Sequence, residues 1–289
     1  MKILLQRISA CFVAFALSAN DACPKLPVVV ENQEGEGLFS MVVEILGNLA
    51  IYDECQCFTL EVNFGNKGFY FDSKVGLNWW NYYFQPIKLG RDDLFSSDTV
   101  IQESLNRHRM LLPRRQAHDL IHKYIHVLPA IEKKVEDFFL ENLKDYYIIG
   151  VHYRGTDSCG RCSYQLYLDK INFVINSLDK TTEYRIFVAT DEQFFLDLVK
   201  INFPNLIYCQ QEAIRSVEYY NGKVPYPVHK DSSIDRHRQG EEALIDCLLL
   251  SRCNIMLTSF SYLSICALAF NPDIPAIDVS SRTPEFVLK

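Results

Sequence analysis

The chain has 289 residues, 48% hydrophobic and 22% charged, with a formal net charge of −7. That balance suits a globular protein of one large or two ordinary domains and excludes long disorder. It argues against a generally basic nucleic-acid-binding surface, though not against one local basic pocket. No stretch approaches the roughly 18 apolar residues of a clear membrane span.

Lys2 and Arg7 precede an apolar stretch over 8–17, which ends in Ser18-Ala19-Asn20-Asp21. A basic start, a short apolar centre and small residues describe a secretory signal peptide over 1–22. A buried first element of the fold is the alternative. The first reading implies a secretory or exported protein, touching a membrane only through this segment if it stays uncleaved. The second implies a cytoplasmic one. Ten cysteines (Cys11, Cys23, Cys55, Cys57, Cys159, Cys162, Cys209, Cys247, Cys253 and Cys266) allow some disulfides in an exported chain. The last four sit in apolar surroundings and read as small core residues. Cys159 and Cys162 have the spacing of half a zinc or redox site, but Cys55 and Cys57 make a poor second pair.

In chain order, a valine-rich strand over 26–31 leads into the loop 32–37. Leu38, Met41, Val42, Ile45, Leu46 and Leu49 then recur at helical spacing. A second strand covers 58–64. The aromatics Trp79, Trp80, Tyr82, Tyr83 and Phe84 read as packing rather than a sugar platform. A helical region over 113–143 is broken or restarted by Pro129, and a domain boundary follows it. This divides the chain into residues 23–144 and 145–289.

The second half alternates regularly. Strands over 146–152, 185–190, 206–209, 255–258 and 276–279 are interleaved with helices over 164–178, 192–203, 240–253 and 261–270. This pattern implies an α/β fold with a parallel sheet covered on both faces.

Three of these strands end in polar residues, and a parallel sheet aligns such ends along one ligand-binding edge. The first end carries His152, Arg154 and Asp157, the second Thr190 and Asp191, and the third Thr258, Ser259 and Ser261. Arg154 can grip a phosphate through two parallel charged hydrogen bonds; alternatively, it pairs locally with Asp157. Ser261 begins a helix, whose N-terminus favours anions. Asp191 and Ser261 can equally be helix N-caps. In the first half, Gly35 and Gly37 flank Glu36 in a strand-to-helix turn, where a carboxylate can serve as a general base or be merely solvated. Neither GxGxxG nor a P-loop occurs, which disfavours a dinucleotide-dependent oxidoreductase.

Taken together, His152-Tyr153-Arg154-Gly155-Thr156-Asp157 is similar to the HxRxTD motif of the fucosyltransferase superfamily. This group includes α1,6-fucosyltransferases, the nodulation fucosyltransferase and the protein O-fucosyltransferases. The run Ile186 to Asp191 resembles that family's strand ending in Thr/Ser-Asp. Leu257-Thr258-Ser259-Phe260-Ser261 resembles its Thr-Phe-Ser segment, and the run Glu242 to Ser251 the helix before it. Gly35-Glu36-Gly37-Leu38-Phe39 is similar to the family's glycine loop.

The resemblance implies two Rossmann-like domains in a GT-B-like arrangement, with residues 23–144 on the acceptor side and 145–289 binding the nucleotide sugar. It implies an inverting, metal-independent transfer of fucose from GDP-fucose to a glycan or protein hydroxyl, with no cofactor and no metal; the acidic balance adds the expectation of no nucleic-acid partner. Arg154 would hold the β-phosphate. His152 and Asp191 would help read ribose and guanine, and Ser259, Phe260 and Ser261 would close on the diphosphate. Gly35, Gly37, Asp157 and Thr190 complete the donor site, and Glu36 is the base candidate by elimination. Gly155 departs from the second Arg of some α1,6 enzymes, and a Glu they carry further on is absent here. These departures leave the acceptor open. The alternatives are a glycosyltransferase with another donor and a nucleotide-sugar-binding pseudoenzyme.

Overall fold

The structure, a computed structural model, describes residues 27–32, 35–56, 58–66, 68–90, 102–103, 111–156, 162–204, 206–220, 224–225 and 233–280. The signal-peptide segment and Asp157 lie outside the described residues, as do Cys11, Cys23, Cys57 and Cys159.

The first half builds a small sheet around a long helix. β1 (Val28–Val30) leads through the glycine loop into α1 (Leu38–Cys55) and on to β2 (Leu60–Val62). A 3-10 turn (Trp79–Tyr82), β3 (Lys88–Leu89) and β4 (Gln102–Glu103) follow. The strand order is β3-β2-β1-β4, with β3 antiparallel to β2 and β4 parallel to β1. The six apolar positions read at helical spacing along α1 are all buried. The helix runs past Leu49 because Ile51 and Tyr52 still pack on the core. It ends where Gln56 turns left-handed (φ 48°) and donates its N–H to Tyr52 O. Trp79, Trp80, Tyr83 and Phe84 are fully buried, so the aromatic run is core. α2 (Arg114–Tyr124) and α3 (Pro129–Asn142) are separate helices. Pro129 opens the second at a position where its missing N–H has no helical partner to lose.

The second half carries the larger sheet. β5 (Tyr147–Tyr153), α4 (Tyr164–Ser177), β6 (Tyr184–Thr190), α5 (Gln193–Asn202) and β7 (Ile207–Tyr208) come first. Between β7 and the next helix, where the sequence pattern marks no strand, the structure has a short antiparallel pair, β8 (Tyr219–Tyr220) and β9 (Val224–Pro225). α6 (Arg236–Leu250), β10 (Ile255–Thr258), α7 (Tyr262–Phe270) and β11 (Ala276–Asp278) complete the chain. The five parallel strands lie in the order β11-β10-β5-β6-β7. The connections leave β5 in one direction and return on its other side at β10. The switch point therefore falls between β5 and β10, where an open α/β sheet forms its ligand crevice. The register sets His152 beside Thr258 and Tyr153 beside Thr190.

α6 starts four residues before the expected Gly240, because Asp235 caps it by accepting the Arg238 N–H at 3.0 Å. Gly240 is a contact point inside the helix. A Cβ there would overlap the Tyr83 hydroxyl and stand 3.0 Å from Tyr70 Cδ1. The Tyr83 ring stacks on His237 (5.8 Å, 9° between planes), and its hydroxyl donates to His237 O at 3.0 Å. The two halves also meet where α1 and α2 pack on α7 and α3 packs on α6. One hydrophobic cluster runs through both, from Val28 and Trp80 to Phe187 and Leu249.

Candidate functional site

The carboxyl ends of β5 and β6 face the glycine loop and the start of α1 across a cleft of about 340 Å³, within the usual size range for small-ligand sites. The first half contributes Gly35, Glu36, Gly37, Ser40 and Tyr70. The second contributes His152 and Arg154 from β5, and Thr190 and Asp191 from β6. α6 adds Gln239, Glu242 and Asp246, and the start of α7 adds Phe260, Ser261 and Tyr262.

Most residues singled out from the sequence therefore line one cleft. Ser259 does not: it is buried behind the wall, with its Oγ 3.2 Å from the Tyr167 hydroxyl. The same hydroxyl donates to His152 O at 2.8 Å, tying β5 to α4. Tyr70, Gln239, Glu242, Asp246 and Tyr262 were not singled out from the sequence. Of these, Asp246 had a legible signal: an acidic residue within the apolar run 243–250.

Two helices open onto this space. α1 is preceded by Gly37 and α7 by Ser261, and neither residue makes a side-chain cap bond. The Leu38 N–H lies 3.4 Å from the Tyr70 hydroxyl. Ser261 occupies the N-cap position, yet its buried Oγ has no hydrogen-bond partner among the described residues. Arg154, half-buried, lines the same cleft and adds a full positive charge. Helix N-termini and a guanidinium together make an anion site. Gly35 sits at φ 87°, a conformation that suits glycine and shapes the loop around Glu36.

Asp191 does not cap α5; Glu192 holds that position. The Asp191 carboxylate instead accepts the Gly155 N–H at 2.9 Å and the Thr156 hydroxyl at 2.6 Å. It fixes the loop that carries Arg154. Ser40 Oγ stands 2.9 Å from Glu36 Oε2 and 2.7 Å from Gly37 O, orienting the Glu36 carboxylate at the cleft edge.

Two acids on α6 differ in their surroundings. Glu242 accepts hydrogen bonds from the Ile214 N–H and from Arg238 Nε. Burial still raises its pKa against those bonds. One turn on, Asp246 Oδ1 is buried without a hydrogen-bond partner among the described residues. Burial pushes its pKa up to about 7; Arg215 pulls it down and Glu242 raises it. A buried carboxyl with an open lone pair at a cleft wall is suited to a ligand edge carrying N–H groups. His152 is held neutral: burial and the nearby Arg154 charge lower its pKa to about 3. Among the described residues no cluster of three or more His, Cys, Asp or Glu side chains could hold a metal ion.

No family model matches the chain, and no curated protein matches it significantly. Solved structures do. The α1,6-fucosyltransferase NodZ crystallised with GDP superposes with a TM-score of 0.59 at 15% identity, over 88% of this chain and 95% of that one. NodZ from Bradyrhizobium gives 0.56 at 17% identity over 88% and 95%. POFUT1 in complex with GDP gives 0.51 at 12% identity over 91% and 98%. Arabidopsis thaliana FUT1 gives 0.52 at 12% identity over 89% of this chain and 71% of that one. The chain has the fold of these fucosyltransferases.

Proposed function

We propose that the chain is an inverting, metal-independent glycosyltransferase that moves fucose from GDP-fucose to a hydroxyl of a glycan or protein. One observation carries the reading: Arg154, the open start of α7 with its unbonded Ser261 Oγ, and buried Asp246 all converge on one cleft. The first two suit a diphosphate. The third suits the N1–H and N2–H₂ edge of guanine, since a carboxylate can accept both. Structural likeness to GDP-binding fucosyltransferases adds to this reading.

In this proposal residues 145–289 bind the donor and residues 23–144 present the acceptor. The acceptor oxygen attacks the anomeric carbon while the bond to the β-phosphate oxygen breaks, and GDP leaves with the electron pair. The acceptor proton passes to Glu36. Arg154 and the α7 N-terminus stabilise charge growing on the leaving phosphate, the role a cation fills in other enzymes. The segment 1–22 would direct the chain to the secretory pathway.

Thermal shift with GDP, UDP, ADP and NAD tests the donor assignment. Stabilisation by GDP alone is expected, and equal stabilisation by UDP or ADP would overturn it. Consumption of GDP-fucose with release of GDP then separates an enzyme from a protein that only binds the nucleotide.

A further inference from the structure

We propose that Thr258 and Ser264 form a one-way hydrogen-bond relay that fixes His152 with its proton on Nδ1. The relay leaves Nε2 as a bare acceptor that a ligand must meet with a hydrogen.

Three buried polar groups stand in a row behind the cleft wall. Thr258 Oγ1 donates to Ser259 O at 2.8 Å. Ser264 Oγ is hydrogen-bonded to Thr258 Oγ1. His152 Nδ1 lies 2.5 Å from Ser264 Oγ. Each hydroxyl has one proton, so the directions are linked. The Ser259 carbonyl can only accept, which commits the Thr258 proton. Ser264 must then donate to Thr258, so its oxygen can only accept from His152. The Nδ1–H tautomer completes all three bonds. The opposite tautomer reverses the Ser264 and Thr258 protons and leaves the Ser259 carbonyl without its partner, a cost in a site where these residues are all buried.

The other ring nitrogen, Nε2, meets no partner among the described residues, and His152 lines the cleft. The ring is also held neutral, with a pKa of about 3. His152 is therefore neither a cation for phosphate nor a proton source. It reads a ligand N–H or O–H, and Thr258 and Ser264 are positioning residues acting through it. The relay stands on this geometry alone; the identity of the ligand as GDP rests on the function proposed above.

Long-range ¹H–¹⁵N spectra of the full ¹⁵N-labelled chain read the tautomer directly. The wild type should show a protonated, pyrrole-type Nδ1 and an unprotonated, pyridine-type Nε2. Thr258→Val frees the Ser264 proton to donate to Nδ1, so the two nitrogen signatures should exchange. Ser264→Ala cuts the relay and should shift the population toward Nε2–H, a second arm if the Thr258 variant folds poorly. In either variant Nε2–H would face the ligand's own hydrogen, and GDP should bind about tenfold more weakly or worse. A protonated Nε2 in the wild type, or nitrogen signatures unmoved in a folded variant, would overturn the relay. Failure of the wild type to bind GDP would overturn the donor assignment instead, with the nitrogen signatures still deciding the relay.

Discussion

The backbone of Gly155 lies directly on the side chain of Glu192. A Cβ at Gly155 would overlap Glu192 Oε2 and stand 2.5 Å from Tyr153 Cε1. Glu192 is fully buried and accepts a hydrogen bond from the Tyr164 hydroxyl, so it has little room to retreat. Asp191 holds the same loop by the Gly155 N–H and the Thr156 hydroxyl. Gly155→Ala should cost about 1–3 kcal/mol of stability through overpacking and should weaken GDP binding by displacing Arg154. Melting and calorimetric titration check both effects; an unchanged melting temperature with unchanged GDP affinity contradicts this account of the loop.

Arg154→Ala should lower both donor affinity and turnover, with kcat falling on the order of 10²–10³-fold if the guanidinium stabilises the leaving phosphate. Arg154→Lys should recover only part of the loss, because an ammonium lacks the two-pronged geometry. Unaltered GDP affinity in the alanine variant counts against the whole site.

For Glu36→Gln the two measurements should separate. GDP affinity should stay near wild type, while transfer falls by about 10²–10⁴-fold, the usual contribution of a positioned base. Near-normal transfer would remove Glu36 from the chemistry.

Asp246 gives a pH test. Its folded pKa, about 7, lies above the ordinary carboxylate value of 3.8, so the folded chain holds a proton that the unfolded chain releases. Stability from this group is present below the ordinary value and is lost as pH rises to about 7, by on the order of 4 kcal/mol at most. If guanine donates to the ionised form, GDP binding must expel that proton, so affinity should rise from pH 6 to pH 8. Asp246→Asn should flatten the stability slope. It should also remove most of the affinity slope, leaving only what the nucleotide's own phosphate contributes. Equal slopes in wild type and Asp246→Asn would rule out this role.

The second half was legible because buried parallel strands read as unbroken apolar runs that stop abruptly at polar residues. Arg154 and Asp191 stand out at such stops. The two-residue strands β3 and β4 carry no periodicity to read. Gly240 was misleading: glycine usually marks a helix end, and here it lies inside α6 because Tyr83 needs the space. That requirement comes from a residue more than 150 positions away. Tyr70 was invisible for the same reason, since only the fold brings its hydroxyl to the start of α1. Asp246 is visible as an acid in an apolar run, but its burial depends on walls supplied by other elements.

The Tyr83–Gly240 contact has a consequence for unfolding. The α6 turn that touches Tyr83 is continuous with the turns that carry Glu242 and Asp246 into the cleft. The hydrophobic cluster crosses the same boundary. Neither half can melt without stripping the other of packed surface, so scanning calorimetry should record a single cooperative transition. Gly240→Ala should lower its midpoint while keeping it single. Residues 145–289 expressed alone should expose the α6 face that Tyr83 normally covers, and should aggregate or melt without a sharp transition.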